Sequence, residues 1–159
     1  MEILNSDIVA VEGYFAGLVE EDSGLRSFIL ETSNDPFEME RFNAVSKQDG
    51  FEYPALVLFM PVITGDDNAM HNFEASLEMA YAILDATDDS HEQKLEKHRD
   101  GQQAAWRILK AFRRDSKAGK FRMERMTYKL APFEYGNDNC VGQYCVITLI
   151  TSTNSLIGI

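Results

Sequence analysis

The sequence predicts an α+β fold: one mostly antiparallel sheet of about five strands packed against two helices, in the order α-β-β-β-α-β-β. Three observations predict it. Residues 90–117 carry apolar side chains at helical spacing between a capping serine and a glycine. Residues 73–83 alternate apolar side chains with mostly small or charged ones, the two-residue period of a strand. Tyr144 to Thr151 is strongly β-branched and follows a turn-rich stretch, as the return strand of a hairpin does. A chain of 159 residues suits one domain, 1–159, with 154–159 a short, largely apolar tail.

The elements follow in order. Leu4, Ile8, Val11, Phe15, Leu18 and Val19 fall on one helical face, preceded by Asn5, Ser6 and Asp7 as alternative N-caps. Gly24 supplies the stop. Leu25 to Leu30 is a short apolar piece that fits neither period. After the turn Asn34-Asp35-Pro36, the spacing of Phe37, Met39 and Phe42 suggests an irregular strand. Gln48-Asp49-Gly50 is a turn. Ala55 to Met60 is apolar on both faces, a buried strand that Pro61, lacking an N–H, ends or confines to an edge. Thr64 to Asn68 reads as a loop. Residues 73–83 also permit a helix through Phe73, Leu77, Tyr81 and Leu84, but six successive alternations favour the strand. A polar loop, 85–90, leads to Ser90, which with Gln93 fits a capping box. The long helix then shows Leu95, His98, Gln102, Ala105, Leu109 and Phe112 on one stripe, with Trp106 and Ile108 beside it, and Gly119 closes it. Phe121 and Met123 share one parity while Met126, Tyr128 and Leu130 share the other, so a β-bulge is expected at Glu124-Arg125. Phe133 to Asn139 is the turn before the last strand.

Apolar residues are 45% and charged residues 26% of the chain, a globular composition. The net charge of −11 opposes non-specific binding to nucleic acid. The longest uncharged apolar run, Pro54 to Thr64, is too short to span a membrane, and residues 1–7 carry no basic signal region. Cys140 and Cys145 read as two reduced, half-buried thiols rather than a zinc pair.

No nucleotide-binding glycine loop, nucleophile elbow or zinc-protease motif occurs. His91 and His98 lie seven apart on the long helix, too far to share an ion unaided; His91 is expected in the exposed first turn and His98 half-buried with a polar partner. Asp66, Asp67 and Asn68, like Asp85, Asp88 and Asp89, lack the spacing of a calcium loop and read as solvated charge. No catalytic, cofactor or metal residue is assigned, and no cofactor is implied.

Charge is the informative feature. Residues 107–129 hold nine basic side chains against Asp115 and Glu124, a net +7, whereas residues 1–106 hold six basic and twenty-two acidic, a net −16. The basic set is Arg107, Lys110, Arg113, Arg114, Lys117, Lys120, Arg122, Arg125 and Lys129. The first eight are the candidate interaction residues. Three readings compete: neutralisation within the same fold, docking of identical subunits basic face to acidic face, and contact with nucleic acid. The last ranks third because no series of aromatic side chains accompanies these basic residues.

The pattern resembles the tail-terminator and tail-completion proteins of the neck and tail of tailed bacteriophages. The matching pieces are the helix Ile8 to Val19, the strand Tyr53-Pro54-Ala55-Leu56-Val57-Leu58, the helix Ser90 to Lys117 and the hairpin ending Gly142-Gln143-Tyr144-Cys145-Val146-Ile147-Thr148-Leu149. Together they span most of residues 4–153. The resemblance implies a non-enzymatic, ring-forming homo-oligomer in contact with other tail or neck proteins, located in the virion or in the bacterial cytoplasm during assembly. It carries over no catalytic residue. The polar loops 64–72 and 132–139 and the tail Leu156-Ile157-Gly158-Ile159 would be contact arms. Two alternatives stand beside it: a ligand-binding or enzymatic domain with a pocket between sheet and helix holding His98, Cys145 or Tyr144, and a DNA-contacting protein using residues 107–129.

Overall fold

A computed structural model describes residues 8–67, 73–120, 125–136 and 139–152. The elements are α1 (Ile8–Glu21), β1 (Ser27–Leu30), α2 (Glu40–Ser46), β2 (Ala55–Leu58), β3 (Val62–Asp67), β4 (Phe73–Ala86), α3 (His91–Lys117), β5 (Arg125–Tyr135) and β6 (Cys140–Ser152). The fold is α+β, as expected, with three helices and six strands among the described residues rather than two and five. The strand order is β1-β2-β4-β6-β5, and β3 pairs with β4. Among the described residues only β1 and β2 run parallel.

The central strand is β4, and it alternates because its two faces are filled differently, by large side chains on one and mostly small or polar ones on the other. Leu77, Met79, Tyr81 and Ile83 point to one face, where they meet Val11, Phe15 and Leu18 of α1 and Ala105, Ile108 and Phe112 of α3. Ala80, Ala82 and Leu84 point to the other, against Phe42 of α2 and Met39 at its N-cap. On one side β4 pairs with β6 from Glu74↔Ser152 to Ala86↔Cys140. On the other it pairs with β2 through residues 81–84 and with β3 through residues 73–78. The break between β2 and β3 falls at Phe59-Met60-Pro61, where Pro61 removes a donor.

Several expectations are corrected. The piece Leu25–Leu30 contains β1. Phe37, Met39 and Phe42 form no strand: Met39 and Phe42, three apart, are both fully buried on the α2 side of the sheet, while Phe37 is exposed and leans at a tilt against Phe133. Alternation misled because Phe37 belongs to the surface. Thr64–Asp67 is strand β3, held by the first half of β4 despite its turn-like composition. β5 continues through Pro132 to Tyr135, which an outermost strand tolerates. Gly24 does not adopt a left-handed conformation; the Asp22 carboxylate ends α1 by accepting from the N–H groups of Gly24 and Leu25, both at 2.9 Å. Glu124, half of the expected bulge, lies outside the described residues, as do Leu4 and the tail Leu156–Ile159.

Helix α3 begins at Ser90, whose Oγ accepts from Gln93 N–H at 3.3 Å, and Gln93 Oε1 in turn accepts from Asp88 N–H. Gly119, at φ 78°, turns the chain out of it. Its buried line is Gly101, Ala104, Ala105, Ile108, Leu109, Phe112 and Asp115. The expected stripe matches this line at Ala105, Leu109 and Phe112 and drifts from it in the first half of the helix, where Leu95 and Gln102 are exposed. The offset comes from Gly101 and Ala104, whose lack of bulk lets α3 approach the sheet. A Cβ on Gly101 would sit 3.3 Å from Gly142 Cα, and a Cβ on Gly142 would overlap the carbonyl oxygen of Ile83.

Gly142→Ala should therefore lower stability by roughly 3 kcal/mol or more in denaturant unfolding. Gly13→Ala, on the open face of α1 with nothing near the added methyl, should raise it by about 0.5–1 kcal/mol. Equal, small effects would contradict the packing described.

Candidate functional site, a basic groove between α3 and β5

The second half of α3 and the start of β5 enclose an open groove of about 560 Å³. Leu109, Met126, Trp106 and Tyr128 form its apolar floor and one end, while Lys110, Arg113, Arg114 and Lys117 line its wall. Trp106 and Tyr128 meet edge to face, with centroids 5.7 Å apart and planes at 80°, and each is about half exposed, at 48% and 50%. Large aromatic side chains left open beside cations form a surface suited to an anionic partner with apolar or aromatic character. No carboxylate lines the groove among the described residues.

The structure sorts the eight predicted interaction residues into three groups. Lys110, Arg113 and Lys117 line the groove and make no ion pair with a described residue; Arg125, at the start of β5, also makes none. Arg107, Arg114 and Lys120 are engaged within the chain. Arg107 holds Asp22 with two hydrogen bonds, of 2.8 and 3.0 Å, on a different side of α3. Arg114 reaches Asp115 at 3.0 Å and Glu21 at 3.2 Å while still edging the groove. Lys120 lies 3.3 Å from Asp115. Arg122 lies outside the described residues. Neutralisation within the fold is thus real but partial, and of the groove's cations it takes Arg114 and spares Lys110, Arg113 and Lys117.

Asp115 organises that division. Its side chain is almost wholly buried, and it accepts from Tyr14 Oη at 2.8 Å as well as from Arg114 and Lys120. Burial works against its charge, but hydrogen bonds from Arg114, Tyr14 and Lys120 outweigh it and hold the carboxyl below its ordinary range. Burial, and then Asp115, push the Tyr14 hydroxyl upward.

One aromatic pair stands beside the basic residues, where the sequence shows no aromatic series among them. Tyr128 comes from β5 and meets Trp106 across the groove, so the pair is created by tertiary packing. Half of the signal was legible: Trp106, Lys110, Arg113 and Lys117 recur at helical spacing on the outer face of α3.

The residues of the alternative pocket do not converge. Cys145 is buried beneath α1 and α3, whereas Tyr144 points to the opposite face of the sheet against Phe59 and Phe133. His98 is half-buried, as expected, and its Nδ1–H donates to Gly142 O at 2.9 Å. Phe15, Tyr81 and Phe112 fill the space between the sheet and helices α1 and α3. A smaller hollow of about 250 Å³ lies where Gly24 and Pro54 face α3, and its Lys97 and Arg107 are bound to Asp85 and Asp22. Among the described residues no three His, Cys, Asp or Glu side chains are grouped to hold a metal ion, and no helix is long and apolar enough to cross a membrane. A comparison with models of known protein families and one with curated proteins each found no match.

Two outcomes follow. A carboxyl whose folded pKa is depressed stabilises the fold above its unfolded pKa and loses that contribution as pH falls through the folded value. Asp115→Asn should therefore cost about 2–4 kcal/mol at pH 7, with the gap to the wild type closing below about pH 4; thermal unfolding across pH 3–7 measures it. Burial pushes the Cys145 thiol up to about 12, and Cys140 is buried too. Neither should react with iodoacetamide at pH 8 until the chain is unfolded, as mass spectrometry would show.

Proposed function

We propose that this chain is a non-enzymatic assembly protein that docks its α3–β5 groove on the acidic surface of another subunit, as a ring-forming tail-terminator or neck-like protein of a phage or prophage would. One observation carries the reading. Lys110, Arg113 and Lys117 surround a half-open aromatic floor and are left without ion-pair partners among the described residues, in a chain of net charge −11. Unneutralised cations on an acidic molecule favour an acidic partner, and copies of the same chain supply one. The resemblance adds support: α1, the Tyr53-Pro54 strand, α3 and the β5–β6 hairpin stand in the order that it requires. The homo-oligomer and the contacts with tail or neck proteins belong to this proposal.

The Trp106–Tyr128 pair favours a second reading, in which the groove takes single-stranded nucleic acid by stacking and phosphate contacts. Labelled single-stranded DNA at low salt separates the two: retention by the wild type that is lost in Arg113→Glu/Lys117→Glu would favour nucleic acid.

Light scattering tests the assembly reading. Mass should exceed that of the 18.0 kDa monomer at high protein and low salt, and should fall as salt screens the contact. Arg113→Glu/Lys117→Glu should shift the wild-type midpoint at least tenfold toward higher concentration. A wild type that stays monomeric at every concentration and salt would overturn the reading.

A further inference from the structure

The groove is one end of a longer surface. Helix α3 turns 100° per residue, so the eleven residues from Leu95 to Trp106 bring the two side chains back to within about 20° of one another, roughly 16 Å apart along the axis. Both are exposed, Leu95 at 57%. Along the same outward line, Glu92, Leu95 and Glu96 occupy the first half of α3 and Trp106, Lys110, Arg113 and Lys117 the second, with Arg99 and Gln102 between. All nine are helical and exposed. A shallow depression at Glu92, Leu95, Glu96 and Arg99 marks the acidic end as the groove marks the basic one.

A charge gradient of this sign, acidic first and basic last, stabilises any helix against its own dipole. That benefit does not account for a leucine and a tryptophan standing open on the same line. An exposed line with an apolar centre at each end and opposite charge around each centre is complementary to itself turned end over end.

We infer that two copies of this chain pair through the outer faces of their α3 helices, antiparallel and related by a two-fold axis near Gln102 and Gln103. In that register Glu92 of each copy lies level with Arg113 of the other, and Arg99 with Trp106, where a guanidinium over an indole adds a cation–π contact. Leu95 lies level with Lys110, over the groove floored by Leu109 and Trp106. The contact is isologous, every interaction occurring twice. It rests on the docking of the groove on an acidic surface of another copy, and departs from the ring in the form that docking takes: acidic and basic halves that share one face close into a pair, whereas a head-to-tail ring needs them on different sides.

The test exchanges charge between the halves. Glu92→Lys/Glu96→Lys makes both ends of the line basic, and Lys110→Glu/Arg113→Glu makes both ends acidic. Each variant alone should be a monomer by light scattering at concentrations where the wild type is twice the monomer mass, and each should keep the wild-type circular dichroism. Mixed one to one, they should recover a species of twice the monomer mass, because each acidic half then meets a basic half. Recovery in the mixture alone is an effect that misfolding cannot produce. Trp106 fluorescence should shift to the blue on mixing as the indole leaves water. If the wild type forms a larger ring that the variants leave intact, the two-fold pairing is overturned while the assembly reading stands. If the wild type is monomeric throughout, both fall. Binding of single-stranded DNA without self-association would give the groove to nucleic acid and overturn the pairing.

Discussion

The seat of α3 on the sheet depends on two residues without side chains. Gly142 lies in β6 so close to Ile83 of β4 that no Cβ fits, and Gly101 of α3 rests against that same point. Hydrogen bonds fix the helix there: His98 Nδ1–H donates to Gly142 O, and Gln143 Nε2 donates to His98 O at 3.3 Å. Close approach sets the rotation of α3 about its axis, and through it the side chains that α3 shows to solvent. Trp106, Lys110 and Arg113 face outward because Gly101, Ala104, Ala105 and Ile108 face in.

At the far end of α3, Asp115 has the complementary effect. It is a buried carboxylate at a helix C-terminus, where the dipole disfavours it, and it persists because Tyr14, Arg114 and Lys120 supply donors from three parts of the chain. That arrangement ties α1 to α3 and consumes the cations nearest the core. Arg113 and Lys117, each two residues from Asp115, lie about 200° round the helix and are beyond its reach. The division between structural and available charge is therefore a matter of helical angle rather than of composition.

Sequence patterning made the larger elements legible for physical reasons. β4 alternates because one of its faces takes large side chains against α1 and α3 while the other takes mostly small or polar ones, and α3 carries a cap, a dipole-matched charge order and a terminal glycine. The smaller elements were illegible because their stability is borrowed. β1 is four residues long and exists by pairing with β2. α2 is held by two buried side chains, Met39 and Phe42, and by the Glu31 carboxylate, whose Oε1 accepts from Arg41 N–H at 2.7 Å. β3 has the composition of a turn and is a strand because β4 extends past β2. The basic half of the groove was evident from composition, whereas its aromatic floor required β5 to be placed beside α3.

The order of charge along α3 has a further consequence. Acidic side chains at one end and basic ones at the other, on a rigid rod roughly 40 Å long, give the molecule a permanent electrical axis. A neighbouring charged body feels that axis before any surfaces touch, over a distance that the ionic strength sets. Torque during diffusion then aligns the approach, so fewer collisions are wasted on wrong orientations. Ions in the medium thus govern how fast a partner is found as well as how firmly it is held.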